Sequence, residues 1–411
     1  MKVLYINYLY SPNIGGGAEI TLKSIVEGIQ RRGHEVVVLA TGEGKGLSVD
    51  VVDGVKVYRA GIENDYWPFA DKSKGSFAKM SWHWKDRYNK EMGALVREVV
   101  ELERPDVASC HNLTGFSVEA WAALEKESVP VIQVLHDLYL LCFRSIMFKS
   151  DQSCASQCLP CKAFRLRHGR RSRAVDAVVG VSRYVLDRLV GHDYFEGSHK
   201  LVINNARSIA PVPIRQAAPK GVVIGFIGTI VKSKGVEWLI SSFKRLNDGS
   251  AILRIAGRGE DSYIAQLKAL AGDANVEFVG YAKAGEFFGG IDICVVPSLW
   301  PDTFPGVAFE ALAYNVPVIA TSMGGLPEIV KHELSGLICD ASEPDSLLES
   351  MNDLVDNPEK LARMKSAARQ SVDSLVDMER MIGEHESLYR TLVRARSGLQ
   401  SESVSSNGVA A

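Results

Sequence analysis

The sequence contains no long hydrophobic run: nothing in its 411 residues approaches the roughly 18 consecutive apolar positions a membrane-spanning helix needs. It also has no excess of either charge. Lys and Arg number 47 against 49 Asp and Glu, and the net charge of −2 argues against a general nucleic-acid binder, whose footprint is usually basic. Seven cysteines are too few for a disulfide scaffold. The opening "MKVLYINYLY" reads as a strand that starts at once and not as a signal peptide, so the protein is expected in the cytosol. The dinucleotide fingerprint is missing as well. After the first strand, "SPNIGGGAEI" puts Ile20 where G-x-G-x-x-G needs glycine, and the second strand ends in Leu39-Ala40 where an acid is needed. These two departures exclude the oxidoreductase reading.

What is present is an ordinary globular composition, 46% hydrophobic and 23% charged, at a length natural for two domains. Short β-branched runs alternate with stretches of 3.6 period, the pattern of βαβ units. In the first half, strands are predicted at Val3–Asn7, Glu35–Leu39, Val107–Cys110, Val131–Leu135, Ala177–Val181 and Lys200–Asn204. Leu22, Val26 and Ile29 give one helix an apolar face, closed by Gly33. Phe77, Met80, Trp84, Tyr88, Met92, Leu95 and Val99, spaced by three or four, predict one long helix whose aromatics enter the core.

"RSIAPVPIRQAAPKG", Arg207 to Gly221, has three prolines and no periodicity, so it reads as a linker. The alternation then restarts, with strands predicted at Val222–Ile227, Ile252–Ala256, Val276–Val279, Ile291–Val296, Pro317–Ala320 and Gly336–Cys339. A helical stretch near Ser374–Ala395 and a Ser-rich tail close the chain. The expected division is 1–206, a linker over 207–220, a second α/β half over 221–380, a helix over 381–400 returning to the first half, and a disordered tail over 401–411. Ligands of open parallel sheets bind at the carboxyl ends of the strands, so two such halves are expected to face one cleft.

The candidate functional residues stand at those strand ends. Gly15, Gly16 and Gly17 precede a helix, where backbone amides can approach a phosphate; a glycine turn without a ligand would read the same. "VLHD" puts His136 and Asp137 after the fourth predicted strand, although an isolated histidine is more often structural. In "GFIGTIVKSKGVEWLI", Gly228 permits close backbone approach, and the Lys234 ammonium before a helix start suits a diphosphate. The most specific stretch is "PSLWPDTFPGVAFEALAYNVPVIA". A helix beginning near Gly306 offers free amides to a phosphate, and Glu310 follows about one turn later, able to accept from two ribose hydroxyls. Asp302 lies on the other side of that anion site, where a sugar would project.

Taken in order, these elements resemble the large family 4 of retaining glycosyltransferases (glycosyl transferases group 1). They are Gly16 to Glu19, His136, the G-x5-K-G element Gly228–Lys234–Gly235, the acid-x7-acid element Asp302–Glu310, and "GGLPEIV" at Gly324–Val330. The resemblance covers nearly the whole chain. It implies a GT-B fold, two Rossmann-like α/β domains facing each other across a cleft. It also implies transfer from a nucleoside-diphosphate sugar to a saccharide or lipid-linked acceptor in polysaccharide or glycoconjugate biosynthesis. Neither metal nor cofactor is implied, since lysine and helix-start amides would stabilise the leaving diphosphate.

Residue by residue, the resemblance implies that His136 and Asp302 act on the transferred sugar. Gly16, Gly17, Gly228, Thr229, Lys234, Phe304, Pro305, Gly306, Val307 and Glu310 would bind the donor, with Tyr281 near the base. Two positions depart from the family pattern. Asp302 stands where glutamate is usual, shorter by one C–C bond of about 1.5 Å. Thr229 stands where arginine is common, which removes a cation, and Lys232 lies nearby at a different spacing. The rival readings are an epimerase or hydrolase on the same fold, and a catalytically weak sugar-nucleotide-binding subunit.

Two further stretches are ambiguous. Cys142, Cys154, Cys158 and Cys161 could ligate zinc or stand as reduced thiols in an acceptor-side loop; the reduced reading is favoured, so no metal is assigned. Lys162–Arg173 carries six Lys and Arg and no acid, which fits a solvated helix face or a contact with anionic membrane. The second reading would place the protein on the inner face of the membrane.

Overall fold

Short β-branched runs buried on both faces form the inner strands of two separate, mainly parallel sheets, because only side chains covered on both sides can be continuously apolar. The computed structural model describes residues 1–71, 73–210 and 221–406. The chain divides into one unit made of 1–145, 156–204 and 379 onward, and a second made of 146–155 and 205–378.

The first unit is built on β1 (Lys2–Asn7), β2 (Glu35–Gly42), β3 (Leu47–Val52), β4 (Val55–Gly61), β5 (Val107–Cys110) and β6 (Val131–Leu135). A two-stranded hairpin, β7 (Phe148–Lys149) and β8 (Gln152–Ser153), belongs to the second unit. The first unit then adds β9 (Ala177–Gly180) and β10 (His199–Val202), giving the sheet order β10-β9-β6-β5-β1-β2-β4-β3. Within this sheet, among the described residues, only β3 runs antiparallel to its neighbour. The second unit contains β11 (Val223–Ile227), β12 (Ile252–Ala256), β13 (Val276–Gly280), β14 (Ile293–Val296), β15 (Val318–Thr321) and β16 (Gly336–Cys339). Its order is β13-β12-β11-β14-β15-β16, parallel throughout.

The β3–β4 hairpin is absent from the sequence expectation. Its turn is Asp53-Gly54, with φ of 49° and 77°, the two left-handed residues that a tight two-residue hairpin requires. The long helix expected across residues 77–99 is also corrected. It breaks into Ser76–Lys85 and Lys90–Glu103, because the Asn89 side chain accepts from the Met92 N–H at 3.1 Å and caps a new start. The first of these helices buries only Trp82, whose indole N–H donates to the Tyr66 carbonyl at 2.9 Å. Phe77 (89% exposed), Trp84 (59%) and Met80 therefore lie on the surface and not in the core. Spacing lined them up on one face, but that face is left largely open, with only the Phe164 ring and the Arg87 guanidinium meeting Trp84 among the described residues.

The closing helix, Met378–Ser406, enters the segment expected to be disordered; residues 407–411 lie outside the described residues. It docks in the first unit. Ile382 lies where a side chain at Gly28 would clash, and Glu386 accepts from Arg32 at 2.8 Å and lies 3.0 Å from His34. Of the expected linker, residues 211–220 lie outside the described residues.

Candidate functional site

In the first unit the strand order reverses between β5 and β1, the place where an open α/β sheet parts to admit a ligand. The glycine loop follows β1. Gly16 caps the helix Gly17–Arg31, and its N–H donates to Glu19 Oε2 at 2.8 Å, so the buried carboxylate ties the loop to the helix. His136 follows β6, and its Nε2 lies 2.8 Å from His111 Nδ1, the rings stacked at 5.1 Å. Ser109 Oγ lies 3.1 Å from His111 Nε2. Burial lowers the His136 imidazole to about 4 and holds His111 well below the usual range, so both rings are neutral near pH 7. Asp137 is raised to about 6 by burial; its Oδ2 accepts from the Asn112 side chain at 3.0 Å and its Oδ1 from the Tyr139 N–H at 2.7 Å. His111, Asn112 and Tyr139 were missed in the sequence. The recognisable signal was "SCHN" at the end of β5, a strand end at the reversal point.

The second unit reverses between β11 and β14, and its candidate residues collect in the loops that follow these two strands. Lys234 ends a short 3-10 turn, and the chain then bends through Gly235 at φ 72°. A side chain at Gly235 would meet the Pro297 carbonyl at 2.0 Å, so only glycine lets the lysine loop close on the loop after β14. The Lys234 ammonium pairs with the Asp302 carboxylate and lies 5.1 Å from the Trp300 ring. Asp302 is buried, and its backbone is gripped by the later glycine pair. Gly325 N–H donates to its carbonyl at 2.8 Å, and a Cβ on Gly324 would lie 2.0 Å from that oxygen.

Pro305 caps the helix Gly306–Ala313 with no side-chain bond, which leaves the first amides, Gly306 and Val307, available. Glu310, one turn on, accepts from Arg207 Nη1 at 2.6 Å. Phe304 is buried with its ring 5.9 Å from Phe309, fixing the turn before the helix. Gly228 follows β11, and its carbonyl would lie 1.8 Å from a Cβ on Gly257. Thr229 beside it is exposed. Tyr281 stands beyond the edge strand β13, exposed, with the Arg258 guanidinium 4.9 Å from its ring. Lys232 lies 3.6 Å from Asp151. The structure thus joins Lys234 to Asp302, and Gly306 to Glu310, and adds Arg207, which no motif marked.

Two family models match the sequence in succession, Glycosyltransferase Family 4 over residues 15–207 and Glycosyl transferases group 1 over residues 213–371. The protein belongs to the group 1/family 4 glycosyltransferases. The glycosyltransferase is 28% identical to an uncharacterised 42.6 kDa protein of the cps region of Klebsiella pneumoniae, over 80% of this chain and 87% of that one. It is 27% identical to an uncharacterised glycosyltransferase of Methanocaldococcus jannaschii, over 84% and 87%. In fold it matches sucrose-phosphate synthase of Thermosynechococcus elongatus with a TM-score of 0.74 at 16% identity, covering 96% and 99% of the two chains. HepE of Anabaena, solved with UDP and glucose, matches with a TM-score of 0.69 at 18% identity, covering 95% and 100%. Two Rossmann-like units of the GT-B class are therefore the architecture of this glycosyltransferase.

Cys161 shares sulfur hydrogen bonds with Cys142 and Cys158, and the Cys142 contact, with burial, raises its thiol well above the usual range. Cys154 falls in the hairpin segment of the second unit. Among the described residues, no group of three or more His, Cys, Asp or Glu is arranged to hold a metal ion. In the basic segment, Arg165 turns inward, Nε donating to the Tyr139 carbonyl at 2.7 Å and the guanidinium 4.0 Å from the Tyr139 ring. The other five, Lys162, Arg167, Arg170, Arg171 and Arg173, are exposed. No described helix is long and apolar enough to cross a membrane.

Proposed function

We propose that this glycosyltransferase retains anomeric configuration as it moves a sugar from a nucleoside diphosphate to a saccharide or lipid-linked acceptor, in polysaccharide or glycoconjugate biosynthesis. The observation that carries this reading is the pairing of Lys234 with buried Asp302 in the same unit as the open helix start at Gly306 and the Glu310 carboxylate. A cation, an anion hole and two acids with separate surroundings match the parts of a sugar–diphosphate–nucleoside. In this reading Glu310 accepts from the ribose, the Gly306 and Val307 amides take a phosphate, and Pro305 and Phe304 shape the turn that presents them. Gly228 and Thr229 border the diphosphate, and Tyr281 lies toward the base.

Lys234 neutralises the leaving diphosphate, while Asp302 and His136 hold sugar hydroxyls and Gly16 and Gly17 approach the phosphates. The acceptor oxygen attacks the anomeric carbon on the face the diphosphate leaves, the C–O bond to phosphate breaks, and the departing phosphate oxygen takes the acceptor's proton. Lysine and helix amides carry the developing charge, so the step calls for no metal and no cofactor. His136, lowered to about 4 by burial, is too weak a base to keep that proton. Incubation with a panel of nucleotide sugars tests this. Sugar appearing on an acceptor supports transfer, whereas epimerised or free sugar, or binding without turnover, would replace it with one of the rival readings.

The acceptor side extends to a membrane surface. Five exposed cations in Lys162–Arg173 share the first unit with exposed Phe77, Trp84 and Leu159 (81% exposed), which combines charge for anionic headgroups with apolar side chains for the interface. In this reading the protein works in the cytoplasm against the inner leaflet. Liposomes with anionic lipid should sediment the protein at low salt, with roughly 1 kcal/mol gained per basic residue near the surface, and release it at high salt. Equal binding to neutral liposomes would remove the electrostatic part of the proposal.

A further inference from the structure

Arg207 lies in "NNARSI", outside every motif, yet it reaches the donor residues of its unit. Its backbone N–H donates to the Leu375 carbonyl at 3.2 Å, which anchors it beside the helix Gly306–Ala313. Its Nη1 donates to Glu310 Oε1 at 2.6 Å, in a pair whose side chains are 27% and 13% exposed. The pair lies across the first turn of that helix. A Cβ on Gly306 would lie 3.2 Å from Arg207 Cζ, from Arg207 Nη2 and from Glu310 Oε1 alike. Glycine at 306 therefore leaves room for a guanidinium and a carboxylate over the helix start, whose first amides stay open. Glu310 Oε2 has no hydrogen-bond partner among the described residues.

We infer that Arg207 is a positioning residue that locks the Glu310 carboxylate so that its free oxygen meets the sugar ring of the nucleoside, and that it thereby sets the preference for ribose over deoxyribose. The inference rests on the reading of Glu310 as the ribose acceptor. A glutamate side chain turns about three bonds, and a charge-assisted bond from a planar guanidinium holds its plane in one orientation. The arginine takes one of about four lone-pair sites, leaving Oε2 for hydroxyl donors. A carboxylate fixed in this way rejects a ligand that lacks the hydroxyl, because its charge is then left partly buried without a donor. A purely structural Arg207, fastening residues 205–210 to the second unit, would instead change stability and weaken ribo- and deoxyribonucleotide binding equally.

The test is calorimetry of UDP against 2′-deoxy-UDP, with GDP and 2′-deoxy-GDP in parallel, on the unmodified protein, Arg207→Met and Arg207→Lys, with folding checked by circular dichroism. The unmodified protein should favour the ribonucleotide by about tenfold or more, the value of one charge-assisted hydrogen bond. Arg207→Met should reduce that ratio to about twofold or less, and Arg207→Lys, which keeps the charge but lacks the fork, should fall between them. An unchanged ratio in Arg207→Met overturns the role of Arg207 and leaves that of Glu310 standing. If Arg207→Met does not fold, an unchanged ratio in Arg207→Lys overturns it equally. No ribose preference in the unmodified protein would overturn both readings.

Discussion

Lys234→Ala is expected to lower the rate of sugar transfer about 10²-fold while weakening donor binding much less. The ammonium is paired with Asp302, so part of its charge is balanced in the ground state. As the diphosphate leaves, negative charge builds on the phosphate oxygens, and an ammonium fixed beside them gains interaction only then. Interactions that strengthen on the way to the transition state raise turnover and leave affinity nearly unchanged. The substitution also leaves buried Asp302 without its cation, so the double variant with Asp302→Asn separates the two effects. Single-turnover transfer beside donor calorimetry is the measurement. Unchanged turnover in Lys234→Ala would show that the departing diphosphate lies elsewhere.

The second large effect should divide the two acids of the acid-x7-acid element. Glu310→Ala is expected to weaken the donor and the free nucleoside diphosphate alike, by about 10- to 100-fold, since both carry the ribose and each bond to a charged group is worth roughly 1.5–3 kcal/mol. It also strips Arg207 of its partner. Asp302→Asn and His136→Ala should leave the free nucleoside diphosphate bound within about twofold while transfer falls about 10²-fold or more, because neither residue is assigned to the nucleotide. Calorimetry with the product nucleotide, beside single-turnover transfer, distinguishes the patterns. If Asp302→Asn weakened the free nucleotide as much as Glu310→Ala does, the roles assigned along "DTFPGVAFE" would be wrong.

Much of the fold was legible because a parallel strand covered on both faces must be apolar along its length. Val107–Cys110, Val131–Leu135 and Gly336–Cys339 were predicted to the residue for that reason, and so was Ile252–Ala256 despite its half-buried Arg254. The β3–β4 hairpin was not seen, although Asp53-Gly54 was a readable turn. Its outer strand β3 is an edge with exposed Val49 and Val51, so it lacks the continuous apolar run that marked the others. The stripe of Phe77, Met80 and Trp84 was misread for the converse reason. Period 3.6 states which residues share a face and is silent on whether another element covers it.

Among the candidate site residues the division is similar. Sequence alone determined the family, the two Rossmann-like sheets, and the positions at strand ends where glycine, lysine and acids would stand. Those are local matters, set by chain order and by backbone positions that only glycine can occupy, such as Gly235 and Gly324. Tertiary structure alone decided the partners. That Lys234 holds Asp302, 68 residues away in sequence, and that Arg207 holds Glu310 across 103 residues, depends on how separate loops of one sheet converge. The same holds for His136 meeting His111 from a neighbouring strand and for Arg165 turning inward from a run of otherwise exposed cations. An ion pair or a stacked ring depends on distances of a few ångströms between chain-remote atoms, and spacing along a sequence carries no record of those distances.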